Sequence, residues 1–261
     1  MTFSLEALAA RSGLGSTTRD GWGAAFYQGR DVALFREPGA ASDSPLVRLL
    51  ETNGPRTTLA ISHIRHATHG DIKLANTQPF VRELAGRTHL FAHNGHLPGI
   101  SQARHFSLDR FNPVGETDSE HAFCALMDRL HDLWHPSSAP PPIEDRLAVV
   151  TAYAADLRQL GPANFFYSDG EFLFAHGHRR IQSVSGVIEP PGLFMLSRKC
   201  PREDEAFTAE GVSVASGYQE VVLLASVPLS SESWRPLAEG EIIVVSLGRL
   251  VAQRHSRIVV T

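Results

Sequence analysis

Two stretches with the period of an amphipathic helix stand in the middle of this chain, and strand-length apolar runs lie on both sides of them. In the first, Ala122, Phe123, Leu126, Met127 and Leu130 share one face. In the second, from Ile143 to Leu160, the face carries Leu147, Val150, Tyr153, Ala154 and Leu157. An apolar helix face has to be buried against another element. Upstream, Ala24 to Tyr27 and Val32 to Phe35 read as a strand hairpin, Thr58 to His63 as a third strand, and Gln78 to Glu83 with Thr88 to His93 as a further pair. Downstream, Asn164 to Tyr167 and Glu171 to Ala175 flank the hairpin signal Ser168-Asp169-Gly170. Leu193 to Ser197, Glu220 to Ser226, Ile242 to Ser246 and Arg249 to Gln253 continue the pattern, the last two joined at Leu247-Gly248. Strands, then helices, then strands predict an α+β layered fold, two sheets with helices packed outside them, as one domain over residues 1–261.

The connections carry their own signals. Thr2 to Arg11 reads as a helix with Thr2 as N-cap, and Asp20-Gly21-Trp22-Gly23 as a turn. Ser44 caps a short helix with Leu46, Val47, Leu49 and Leu50. Arg65 to Thr77 is too polar for a core. Asn112 to Gly115 is a loop, after which Thr117 or Asp118 opens the first central helix, with Thr117 and Glu120 spaced as a capping box. Ser137 to Pro142 is a Pro-rich, exposed linker.

Composition excludes several classes of function. The chain has 261 residues, 43% hydrophobic and 20% charged, as in ordinary soluble proteins, and a net charge of -4 with no run of Lys or Arg, which argues against nucleic acid. No apolar stretch is long enough to span a bilayer and no signal peptide is present, so no membrane is expected. Cys124 and Cys200 alone make no disulfide framework, and a reducing cytoplasm is the simplest setting. Of 13 His, six fall between His63 and His96.

Three constellations carry chemistry. Leu90-Phe91-Ala92-His93 runs into Asn94-Gly95, and two adjacent N–H donors at a strand end can stabilise an oxyanion. On these residues alone a hairpin turn is the stronger reading. In His63 to Gly70, Arg65 can fork a carboxylate, with Thr68 and His69 adding hydrogen bonds; a surface Arg–Asp pair is an equal alternative. His63, His66 and His69 recur every third residue, but ligands at that spacing point apart, and no acidic or Cys partner completes a tetrahedral set, so no metal is expected. In Gly115 to Glu120, carboxylates at a helix start serve as caps, or one of them, Asp118, holds a ligand ammonium. An Arg for a carboxylate, an Asp for an ammonium and an Asn-Gly pair for an oxyanion make a receptor for glutamine or a γ-glutamyl compound.

These segments, with Asp20-Gly21-Trp22-Gly23 and Asn76-Thr77-Gln78-Pro79-Phe80, stand in the order found in class II glutamine amidotransferases, and the chain resembles that family of N-terminal-nucleophile hydrolases, its small stand-alone members most closely. Glu232-Ser233-Trp234 through Glu239-Gly240-Glu241 is similar too, so the resemblance spans nearly the whole chain. It implies a four-layer αββα sandwich. It implies that Arg65, with Thr68 and His69, holds the glutamine α-carboxylate, that Asp118 holds the α-ammonium, and that Asn94 and Gly95 form the oxyanion hole. It implies further that an N-terminal Cys attacks the side-chain amide to give a γ-glutamyl thioester, with no metal or organic cofactor. The ammonia goes to a partner synthase subunit, or the reaction is a plain hydrolysis.

The chain departs from the family at its start. Met1-Thr2-Phe3-Ser4 resembles the helix start that follows the Cys-bearing strand, so that strand and its connection, about 10 to 15 residues, are expected to be absent. Thr2 at a helix start has no strand to bring it to Asn94, Cys124 reads as core, and Cys200 before Pro201 matches no catalytic position. The chain as written is therefore read as lacking its nucleophile. Three readings follow: an enzyme whose full-length form carries the Cys, a pseudoenzyme that binds γ-glutamyl ligands, or a non-catalytic partner subunit. The first is preferred, because the pocket residues are all of the right type and a lost core strand would leave an open sheet edge.

Overall fold

The computed structural model describes residues 2–3, 20–65, 70–134, 139–200, 207–209, 212–214 and 217–256. In chain order its strands are β1 (Thr2–Phe3), β2 (Trp22–Gln28), β3 (Asp31–Glu37), β4 (Ala60–Ile64), β5 (Phe80–Leu84), β6 (Arg87–Gly95), β7 (Ala163–Ser168), β8 (Leu173–His176), β9 (Arg180–Ile181), β10 (Ile188–Glu189), β11 (Phe194–Cys200), β12 (Phe207–Ala209), β13 (Val212–Val214), β14 (Gln219–Ala225), β15 (Arg235–Pro236), β16 (Glu241–Ser246) and β17 (Arg249–His255). The α-helices among the described residues are α1 (Pro45–Asn53), α2 (Asp118–His131) and α3 (Ile143–Leu157).

The centre is a six-stranded antiparallel sheet in the order β17-β16-β8-β7-β6-β5. Side chains alternate across it. Phe91, Phe165, Tyr167, Phe174, Ile242 and Val244 point to one face, where they pack with Phe123, Leu126 and Leu130 of α2 and Leu147, Val150 and Leu157 of α3. Phe91 stacks on Phe123 with ring centroids 5.3 Å apart, and the buried Tyr153 hydroxyl donates to the Ala122 carbonyl at 2.9 Å. Burial of each such large apolar side chain contributes about 1.5–3 kcal/mol. On the opposite face, Leu90 and Ala92 meet Ala25, Tyr27 and Ile61 of the sheet β3-β2-β4. Ala175, Ile243 and Val245 meet Leu193 and Leu237 with the sheet β14-β11-β15. Val47 and Leu50 of α1 cover Trp22, Ala24 and Phe26 on the far side of β2. No helix among the described residues is long and apolar enough to cross a membrane.

The two central helices, the short helix after Ser44 and the main hairpins lie where the sequence places them. Ser44 accepts the Val47 N–H at 3.2 Å as the cap of α1. Leu247 and Gly248 turn with φ of 47° and 76°, which joins β16 to β17 in a tight hairpin. The predicted helix at Thr2 is corrected at its start: Thr2 and Phe3 pair with Ser213 and Val212 as a strand, and residues 4–11 lie outside the described residues. Asp20 to Gly23 is only partly a turn, because β2 already begins at Trp22. The helix from Ile143 stops at Leu157 rather than Leu160. The stretch expected to be too polar for a core holds Arg65, Asn76 and Thr77, each buried. They bury because each side chain donates to a nearby backbone carbonyl, Arg65 to Asp20 and Gly70, Asn76 to Asp71 and Thr77 to Lys73, which is how a polar group enters an interior at low cost.

Candidate functional site

Strand β4 ends by delivering Arg65. Its N–H bonds the Gly21 carbonyl at 2.8 Å, and its guanidinium donates to the carbonyls of Asp20 at 3.1 Å and Gly70 at 3.0 Å. Burial lowers its pKa and the Asp20 carboxylate partly offsets that. Thr68 and His69, expected beside it, lie outside the described residues. The next link is Asn76, 1% exposed. Its Nδ2 donates to the Asp71 carbonyl at 3.0 Å and its Oδ1 accepts the Glu116 N–H at 2.9 Å. Asn76 thereby ties the loop that follows Arg65 to the loop that precedes α2, and Lys73 adds an ion pair to Glu116 across the same gap.

Asn94 and Gly95 are not a hairpin turn. They are the last two residues of β6, paired with Asn164 and Ala163 of β7, and both are exposed. On the other flank β5 has already ended, and the Gln78 side chain takes its place. Its Nε2 donates to the His93 carbonyl at 3.1 Å and its Oε1 accepts the His93 N–H at 2.6 Å. Successive residues of a strand present their N–H and C=O to alternate sides. His93 faces Gln78, so Asn94 faces β7, and Gly95 turns its N–H back to the side where β5 has stopped. A side chain at Gly95 would overlap the Pro162 carbonyl, so close backbone approach, rather than only access for a ligand, requires glycine here.

His93 couples this strand end to the helix start. Its Nε2 lies 3.2 Å from the Pro162 carbonyl and so carries the hydrogen, which leaves Nδ1 to accept from the Ser119 hydroxyl at 2.9 Å. Burial holds the ring below its ordinary pKa, against the pull of Asp118, and keeps it neutral. Asp118 follows the N-cap Thr117, whose hydroxyl accepts the Glu120 N–H at 3.2 Å. Capping is therefore done by Thr117, and the Asp118 carboxylate serves elsewhere: it accepts the N–H of Leu97 and of Ser119, each at 2.7 Å, and lies 3.2 Å from His96 Nδ1. Burial pushes its pKa up, but the Leu97 bond, His93, the Ser119 bond and His96 outweigh it, and the carboxyl stays below its ordinary range and ionised.

Glu120 does not close the capping box. Its carboxylate accepts from Val114 and Gly115 at 3.1 and 2.7 Å and from Arg82 at 2.6 Å, which fixes the loop in front of Asp118. Beside Asp118 opens a cavity of about 560 Å³, walled by His96 to Ser101 and by Gly115 to Asp118. Cys124 is fully buried in α2, with its thiol pushed up to about 11 by burial, and Cys200 is buried at the end of β11. Neither has the environment of a nucleophile. Among the described residues no three His, Cys, Asp or Glu side chains gather to hold a metal ion. The structure thus brings Asn94, Gly95 and Asp118 together through His93 and Ser119, and links Arg65 to them through Asn76. Sequence reasoning named the four but not these connectors. Gln78, Asn76 and His93 stand inside the segments that carry the family resemblance, as polar residues at the edge of apolar runs, but nothing in their local pattern assigns them these roles.

A family profile described as "Glutamine amidotransferases class-II" matches residues 1–260. The chain is 32% identical over 254 residues to YafJ of Escherichia coli (strain K12), provisionally named a glutamine amidotransferase, a match covering 95% of this chain and 93% of that protein. A predicted glutamine amidotransferase from Pseudomonas aeruginosa PA01 has a solved structure that superposes with a TM-score of 0.67 at 33% identity, covering 91% of this chain and 89% of that one. The glutamine phosphoribosylpyrophosphate amidotransferase of B. subtilis shares the fold alone, with a TM-score of 0.53 at 14% identity over 98% of this chain and 46% of that one. By profile, relatives and fold, the chain belongs to the class II glutamine amidotransferases.

Proposed function

We propose that this protein binds glutamine or a γ-glutamyl amide and hydrolyses its side-chain amide. In this reading Arg65, helped by Thr68 and His69, holds the α-carboxylate, Asp118 holds the α-ammonium, and the Asn94 amide with the Gly95 N–H stabilises the oxyanion. The observation that carries it is the short path from Asn94 to Asp118: His93, bonded to Ser119 at 2.9 Å, fixes the oxyanion donors and the ammonium acceptor to one rigid frame. The ionised state of Asp118 suits a cation.

The attacking group is assigned to an N-terminal Cys, whose own α-amine takes the thiol proton. The thiolate adds to the amide carbon, ammonia leaves with that proton, and water cleaves the γ-glutamyl thioester to glutamate and regenerates the thiol. The reading sets this chemistry within a single αββα sandwich domain. Two free, buried cysteines suit a reducing cytoplasm. The ammonia passes to a partner synthase or is released.

Titration with glutamine and with 6-diazo-5-oxo-norleucine, followed by intact mass, tests this. In a form that carries the N-terminal Cys, a covalent adduct supports the hydrolase and reversible binding alone supports a pseudoenzyme. No binding sinks both and leaves a scaffold subunit. A stop codon upstream of Met1 before any in-frame Met-Cys would remove the N-terminal thiol from the scheme.

A further inference from the structure

Asn164 sits on β7 directly opposite Asn94 and is 1% exposed. Both ends of its side-chain amide are engaged. Nδ2 donates to the Asn94 carbonyl at 3.1 Å and to the Arg179 carbonyl at 2.6 Å, and Oδ1 accepts the His178 N–H at 2.7 Å. A Cβ at Gly192 would overlap this amide, so the backbone closes in on that side as well. A buried amide with its bonds satisfied is a rigid group.

The carbonyl it grips belongs to the peptide between Asn94 and Gly95. That peptide is planar, and its C=O and N–H point in opposite directions. Fixing the Asn94 oxygen toward β7 therefore aims the Gly95 N–H away from β7. The ladder pairs Asn94 with Asn164 and Gly95 with Ala163 and has no rung beyond Gly95, so the Asn164 side chain adds a second hold on its last peptide. The preceding residue is gripped from the opposite flank by Gln78. Two side-chain amides, one on each side, thus brace the strand end just where its ladder stops.

We infer that Asn164 is a positioning residue: its amide sets the plane of the Asn94–Gly95 peptide and so directs the Gly95 N–H at the ligand oxygen. It touches no substrate itself. The inference rests on the reading of Gly95 as an oxyanion donor. Aspartate at this position would keep the size but lose both N–H donors, and its carboxylate would face the carbonyl oxygens of Asn94 and Arg179.

The test reads the ¹⁵N–¹H residual dipolar coupling of Gly95 in the full chain without ligand, against the core amides of Phe166 and Ala175. In Asn164→Asp and Asn164→Ala the Gly95 coupling should change while Phe166 and Ala175 keep theirs. An unchanged Gly95 coupling in a folded variant overturns the inference. Should both variants fail to fold, Gly192→Ala crowds the same amide with Asn164 still present, and it is judged by the same coupling. Where the parent turns over glutamine, the variants should lower kcat by about tenfold to a hundredfold with KM within about twofold. A change confined to KM would again overturn it. A parent that neither binds nor cleaves glutamine refutes the proposed function instead, and the Gly95 coupling still decides whether Asn164 holds the peptide.

Discussion

Replacing Asp118 by Asn separates two roles that one carboxylate can have at a helix start. The carboxylate accepts the Leu97 N–H through Oδ2 and the Ser119 N–H through Oδ1, both at 2.7 Å. Asparagine keeps one acceptor and turns an NH₂ group toward the other N–H. One part-buried donor is left unsatisfied, at about 1–2 kcal/mol. Loss of negative charge at the first turn of α2 adds about 0.3–1 kcal/mol. Urea unfolding should therefore show Asp118→Asn destabilised by about 2 kcal/mol with an unchanged m value. A ligand ammonium adds a separate term. Its charge-assisted bond is worth about 1.5–3 kcal/mol, so the Kd for glutamine, read by calorimetry on the folded variant, should rise about tenfold to a hundredfold. A stability loss of the expected size with an unchanged Kd would refute the reasoning, because Asp118 would then be serving only Leu97 and its own helix.

Other expectations can be checked with the same preparations. Asn94→Ala should mainly lower kcat, by about 3 kcal/mol in activation free energy, in a form that turns over; an effect on KM alone would contradict the oxyanion role. Glu120→Ala should destabilise by about 3–5 kcal/mol in urea, because it strands the Arg82 cation and the N–H groups of Val114 and Gly115; a loss below about 1 kcal/mol would mean the loop is held by other contacts. His89 is buried beside Tyr167, and burial pulls its pKa down to about 4 from an unfolded value near 6.5. A folded pKa below the unfolded one means full stability above pH 6.5 and progressive loss as pH falls toward 4, about 3 kcal/mol for this group. His89→Gln should therefore flatten the fall in stability between pH 7 and pH 4.5, and an equally steep fall in the variant would exclude His89 as its source.

The elements that were legible in the sequence are those whose apolar period is long. The face of α2 needs Ala122, Phe123, Leu126, Met127 and Leu130 at helical spacing, and all five are buried in one cluster. The Asn94-Gly95 pair shows the limit. As a dipeptide it is a strong hairpin signal, and local chemistry offers no reason to overrule it. The overruling contacts are the Pro162 carbonyl against Gly95 and the Asn164 amide on Asn94, from residues nearly seventy positions away. The buried polar segment around Asn76 shows the same limit. Its polarity reads as surface until the backbone groups it satisfies are brought to it by β4 and α2.

By itself the sequence determined the alternation of strands with central helices, the chemical types at Arg65, Asp118, Asn94 and Gly95, and the family they belong to. Those follow from periodicity and from ordered local motifs, which need no knowledge of distant contacts. Only the tertiary structure decided that Thr117 caps α2 and leaves Asp118 for other duty, that the Gln78 and Asn164 amides bond the end of β6 from its two flanks, and that Cys124 and Cys200 are buried. Each of these depends on which groups meet across long separations in the chain. A hydrogen bond between residues far apart in sequence leaves no period and no spacing to read.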